Sequence, residues 1–152
     1  MMEFNTVLRS LRYALDYTDQ QMTEVFALDG YKVTSSDINL MLKHEEQDGF
    51  LAIDDVVLGH FLDGLITQKR GPADPNRKAP LPQALDNNMV LKKLRIAMEL
   101  REEDMISTLK KGGFVISKAE LSALFRKKGH KHYRECGDQL LRHFLKGLAI
   151  PD

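Results

Sequence analysis

The chain has no tryptophan and only one cysteine, Cys136. A single thiol cannot form an intramolecular disulfide, and a lone cysteine fits a reducing compartment. No run of about 18 apolar residues occurs, so no segment is expected to span a membrane. The first residues, MMEFNTVLRSLRYALDYT, lack a long apolar stretch and are interrupted by Glu3, Arg9 and Arg12, so they do not read as a secretion signal. These absences give the expectation of a cytoplasmic protein. Proline is scarce and clustered: four of the five fall in GPADPNRKAPLPQALD, residues 71–86. Proline denies helix and favours extended backbone, so this stretch reads as a linker between residues 1–70 and residues 87–152.

What is present is a repeat. At an offset of 83, residues 5–67 align with 88–150 without a gap, and 15 of the 63 pairs are identical. Background residue frequencies would give roughly four. The identities include Asn5/Asn88, Leu8/Leu91, Leu11/Leu94, Arg12/Arg95, Gly30/Gly113, Asp55/Asp138, His60/His143, Phe61/Phe144 and Gly64/Gly147.

Each copy reads as four helices. The first covers about 5–17 and 88–100, where Val7, Leu8, Leu11, Ala14 and Leu15 mark one helical face. The second covers about 19–28 and 102–111, with acidic residues in its first turn and Gly30 or Gly113 just past its end. The third opens on capping signatures, Thr34 with Asp37 and Ser117 with Glu120. The fourth covers about 54–68 and 137–149. Val33 and Ile116 are isolated β-branched residues, so no strand is expected. The fold class is therefore all-α, two tandem four-helix units. A unit of about 65 residues is marginal alone, which favours units packed together.

Charge divides between the copies. Net charge is zero overall, but residues 1–70 carry −6 and residues 71–152 carry +6. The sign reverses at equivalent positions: Glu45/Lys128, Asp48/Lys131 and Asp63/Lys146. Solvated drift accounts for this, as does an acidic unit facing a basic one within a chain or between chains, or a polyanion-binding second half.

Two groups of residues are candidates for a site. The first is the basic stretch RKKGHKHYR, with Arg126, Lys127, Lys128, Lys131 and Arg134, close in sequence to Lys110, Lys111 and Lys118. It suits phosphates or an acidic protein surface. The spacings Val33–Ile38–Met41 and Ile116–Leu121–Leu124 also match the apolar positions of a helix-turn-helix. The turns at Gly30 and Gly113 are long for that motif, and the first copy is acidic where a reading helix would lie.

The second group is the repeated polar set. Arg12 on the first helix and Asp55 at the start of the fourth suit a buried ion pair, as do Arg95 and Asp138. His60 and His143 complete a possible Arg/Asp/His pocket, or else serve as partly buried helix pins. Gly64 and Gly147 suit close helix packing. His130 and His132 lack the further ligands of a zinc site, so no metal or other cofactor is expected. Cys136 aligns with Ile53 and reads as a packed apolar position. No nucleotide loop, nucleophile elbow or HExxH sequence occurs.

The segments LRSLRYAL, LKKLRIAM, NNMVLKKLRIA and RECGDQLLRHFLKGL resemble the YehS-like family, bacterial tandem-repeat proteins classed under a domain of unknown function. The resemblance runs over nearly the whole chain. It implies a bacterial cytoplasmic protein and brings no catalytic or binding residues with it. Residue chemistry therefore carries the functional expectation. That expectation is a non-enzymatic module binding another macromolecule, a protein or a second copy. The alternatives are a nucleic-acid-binding regulator and an enzyme or ligand sensor using the Arg/Asp/His set.

Overall fold

A computed structural model describes residues 1–72, 74–76 and 84–152. Among them are eight helices and no strand: α1 Phe4–Leu15, α2 Asp19–Leu28, α3 Ser35–Met41, α4 Asp55–Arg70, α5 Asn87–Ala97, α6 Glu102–Lys111, α7 Lys118–Leu124 and α8 Asp138–Leu148. The chain is thus an all-α tandem of two four-helix units. The expected linker at 71–86 falls partly on residues 73 and 77–83, outside the described residues.

The helix starts follow the capping chemistry. Thr18, Thr34 and Ser117 each accept a hydrogen bond from the third helical N–H, and Gln21, Asp37 and Glu120 reach back to the cap's own N–H. Two ends differ from expectation. The first helix of each copy stops two or three residues early, where Asp16 and Glu99 turn left-handed at φ 54° and 52°. Neither is glycine, so the usual stop signal is missing from the sequence.

One hydrophobic core serves both units. Leu8, Leu11, Phe26, Phe61 and Leu65 from the first share it with Leu91, Leu94, Leu109, Leu141 and Phe144 from the second. At its centre α1 packs on α8, and α4 packs on α5. Exchanging α1 for α5 and α4 for α8 turns one of these contacts into the other, so the units are related by an approximate twofold.

The four central helices run parallel. Asn5 near the start of α1 meets Ile53 just before α4, whereas Tyr17 beyond the end of α1 meets Gln68 near the end of α4. Between the units, Asp63 pairs with Lys93 and Arg70 with Glu99, in register along α4 and α5.

The helices α2 and α6 cross the outer sides of α4 and α8 at glycines. A Cβ on Gly64 would stand 2.0 Å from the Val25 carbonyl oxygen, and one on Gly147 would stand 1.9 Å from that of Thr108. Val25 and Thr108 are equivalent positions, so the repeated glycine marks the same backbone-to-backbone crossing in both units. No helix among the described residues is long and apolar enough to cross a membrane.

Candidate functional site

The repeated polar residues do not assemble into a pocket. The ion pairs expected between Arg12 and Asp55, and between Arg95 and Asp138, are not formed. Arg12 binds Asp19 at 2.9 Å, seven residues along its own chain, and its Nε donates to the Tyr17 carbonyl at 3.1 Å. Arg95 donates its Nε to the Leu100 carbonyl at 3.1 Å and lays its guanidinium over the Phe125 ring at 4.7 Å. Both arginines therefore bind the carbonyl five residues ahead, where the helix has ended and a free C=O needs a donor. The physical reason for the correction is proximity, since the turn after α1 or α5 supplies acceptors closer than the fourth helix does.

The two aspartates serve elsewhere. Asp138 accepts from Asn87 Nδ2 at 2.7 Å, with the Met1 amino group 3.7 Å away. The Asn87 bond, then that amino group, holds its carboxyl below the usual range. Asp55 lies half-buried in the first turn of α4 and makes no ion pair among the described residues.

His60 and His143 repeat one task. His60 Nδ1 lies 2.7 Å from Asp29 Oδ2, and its ring stacks on Tyr31 at 4.7 Å. His143 Nδ1 lies 2.6 Å from the Gly112 carbonyl oxygen, and its ring sits 5.7 Å from that of Phe114. A carbonyl only accepts, so Nδ1 of His143 is the donor. Each histidine thereby ties the fourth helix to the end of the second. Arg95, Asp138 and His143 are occupied with three separate sets of partners, and the geometry supplies no shared Arg/Asp/His pocket.

Another repeated pair has a role that the sequence reading passed over. Asn5 donates Nδ2 to the Met41 and Leu51 carbonyls at 2.9 Å each, and its Oδ1 accepts from Ile53 N at 2.9 Å. Asn88 donates to Leu124 at 3.0 Å and Arg134 at 2.9 Å, and accepts from Cys136 N at 2.8 Å. The loop before the fourth helix is thus held in the same way in both units. The signal was available: a short polar residue, duplicated, at the start of an otherwise apolar match.

What this scaffold presents outward is the basic stretch. Arg126, Lys127, Lys128, His130, Lys131 and His132 are exposed, on the loop after the two-turn helix α7. Arg134 is half-buried and pairs with Glu120 at 3.0 Å. Glu120 also caps Ser117, whose hydrogen bonds, ahead of Arg134, hold its carboxyl below the usual range. An open groove of about 790 Å³ lies beside α1, whereas the basic stretch borders one of about 690 Å³, lined by Lys118, Glu120, Ser122, Arg126, His132 and Arg134. Among the described residues, Arg126, Lys127, Lys128 and Lys131 make no ion pair.

The helix-turn-helix spacing has a packing explanation. Ile38, Met41, Ile116, Leu121 and Leu124 are buried core residues. Six residues, 112–117, separate α6 from α7, and Glu120 sits within the groove where a phosphate would approach.

The rings of His130 and His132 lie 5.6 Å apart, but no group of three or more metal-ligand side chains occurs among the described residues. Cys136 is buried, and burial pushes its thiol up to about 12. It is a packed side chain without thiolate character.

Comparison with known proteins fits this description. A family model described as "Protein of unknown function (DUF1456)" matches residues 4–71 and 87–151, one segment per unit. Over 145 residues the chain is 41% identical to the uncharacterized protein YehS of Escherichia coli (strain K12), covering 95% of this chain and 93% of that one. No solved structure matches.

Proposed function

We propose, from the premise that this chain belongs to the DUF1456 family of proteins of unknown function, that it is a non-enzymatic interaction module that docks an acidic protein surface on its basic loop. One observation carries the reading: Arg126, Lys127, Lys128 and Lys131 are exposed on a loop whose backbone is pinned by Asn88, and they have no ion-pair partner among the described residues. A rigid loop presents its charges without the ordering cost that a floppy one pays on binding. By contrast, the repeated Arg, Asn and His side chains are spent on holding helices and loops together. The same reading puts the protein in the bacterial cytoplasm, supported by the likeness to the Escherichia coli protein and by the lone buried thiol.

The test uses poly-glutamate as the acidic protein probe, with duplex DNA and single-stranded RNA beside it. Poly-glutamate is expected to bind at about 50 mM salt and to weaken at least about tenfold by 500 mM, because the contacts are exposed and screened. Lys128→Glu with Lys131→Glu is expected to abolish binding while the circular dichroism stays unchanged. Failure of poly-glutamate to bind a chain that is monomeric at low salt overturns the reading. Tighter, lysine-dependent binding of DNA or RNA replaces it with the nucleic-acid alternative.

A further inference from the structure

The loops before the two fourth helices have the same backbone and opposite charge. In the first, Gln47 N donates to His44 O at 3.0 Å, Phe50 N to Gln47 O at 3.2 Å, and Leu51 N to Leu40 O at 3.1 Å. In the second, the equivalent bonds run from His130 N to Lys127 O at 2.9 Å, Tyr133 N to His130 O at 2.9 Å, and Arg134 N to Ala123 O at 3.0 Å. On these matching frames the first loop exposes Glu45, Glu46 and Asp48, and the second exposes Lys127, Lys128 and Lys131. None of these six makes an ion pair among the described residues.

Both loops stand at one end of the molecule. Asn5 and Asn88, which pin them, lie in the first turns of α1 and α5, and the chain just before α1 meets the start of α5, where Met2 N donates to Asn87 Oδ1 at 3.3 Å. The same end carries an apolar recess of about 410 Å³, lined by Phe4, Phe50, Ala52 and Ile53 beside Glu45, with Leu51 exposed nearby. An acidic loop, a basic loop and an apolar recess thus share one face of the bundle.

We propose that this face is the contact between two copies of the chain, joined end to end, with the acidic loop of each on the basic loop of the other. This rests on the reading of the basic loop as a docking face and names its partner. The argument is one of symmetry. The units within a chain are related by an approximate twofold running along the parallel helices. A second twofold perpendicular to it brings the first unit of one copy against the second unit of the other. Equivalent positions then meet, and both loop contacts form at once, which closes the pair and prevents further growth. If the loops had equal sign, this arrangement would oppose like charges. Reversal at positions 45/128 and 48/131 makes the same arrangement attractive. The apolar recess supplies the area that charge alone would leave wet.

The test is the solution mass of the full chain by sedimentation, at about 50 mM and about 500 mM salt. The expected result is a species of twice 17.3 kDa at low salt, with its dissociation constant raised at least about tenfold at high salt. The variants Glu45→Lys with Asp48→Lys, and Lys128→Glu with Lys131→Glu, are each expected to be monomeric. Mixed one to one, they should pair again, since the second loop of the first variant stays basic, the first loop of the second variant stays acidic, and no like-charged loops meet. A wild-type monomer at low salt, a dimer that survives both reversals, or a mixture that fails to pair each overturns the proposal. A monomer that still binds poly-glutamate through Lys128 and Lys131 removes only the self-pairing. A monomer that binds no acidic probe removes the docking reading as well.

Discussion

In the first unit the residue that follows α2 is Asp29; in the second, the residue that follows α6 is Gly112. The histidine opposite does the same work against both. His60 reaches the Asp29 carboxylate, while His143 reaches the Gly112 backbone carbonyl. The side chain in one unit occupies the space that the other closes by bringing backbone to backbone: a Cβ on Gly112 would stand 1.8 Å from the His143 carbonyl oxygen. A repeat therefore conserves a task and can change the atom that performs it. It follows that identity between the units marks the scaffold, and that difference between them marks where each unit has its own character.

The strongest way to break this comparison is to exchange the two residues. Gly112→Asp places a side chain where backbone already stands and is expected to cost about 3 kcal/mol or more, because neither helix can yield without unpacking α6 from α8. Asp29→Gly removes the His60 partner and adds chain freedom, a loss of no more than about 2 kcal/mol. Gly64→Ala and Gly147→Ala, which strike the equivalent crossings, are expected to destabilise severely and by similar amounts. Urea denaturation midpoints measure all four. A Gly112→Asp protein as stable as the parent would show that the two units have the same helix spacing.

A second exchange should leave the comparison intact. Asn5→Ala and Asn88→Ala each strand two carbonyls and one N–H, at a cost of about 2–3 kcal/mol. Because the hydrogen bonds match one for one, the two losses should agree within about 1 kcal/mol. Amide exchange at Ile53 and Cys136, the N–H groups that the asparagines accept from, should speed up in the corresponding variant. A loss at one site with no effect at the other would mean that the loops are held by different means despite their shared pattern.

The sequence made the helices and their caps legible because both are local. Val7, Leu8 and Leu11 declare a face through spacing alone, and Ser117 with Glu120 declares a start. The ends at Asp16 and Glu99 were not legible, since a left-handed turn at a charged residue leaves no compositional mark. Packing at Gly64 and Gly147 was readable because glycine inside a helix needs a reason. The partner of Arg12 was not readable. Asp55 was the acidic residue identical in both units, but Asp19 is the one that Arg12 reaches, and in the second unit, where Glu102 takes that position, Arg95 turns to Phe125 instead. The basic loop was visible as composition. That it shares a frame with an acidic loop, at one end of a parallel bundle, required the paths of the chain.

The smallest expected effect tests a position where the units differ in residue type and agree in role. Cys136 aligns with Ile53, and both are buried. At neutral pH, Cys136→Ile should change stability by about 1 kcal/mol or less in either direction, since one packed apolar group replaces another at the cost of some added volume. The difference should appear in base. Burial raises the folded thiol from 9.0 to about 12, so the folded state holds the proton more tightly than the unfolded chain does. That preference stabilises the wild type fully below about pH 9 and is lost as pH rises from about 9 to about 12. The isoleucine variant has no such proton to lose. Every other ionisable group is common to both proteins, so the informative quantity is the difference between their thermal midpoints. That difference should move in favour of Cys136→Ile as pH climbs from 8.5 to 11. A constant difference over that range would mean that water reaches the thiol, and that the cysteine differs from the isoleucine of the first unit in role as well as in kind.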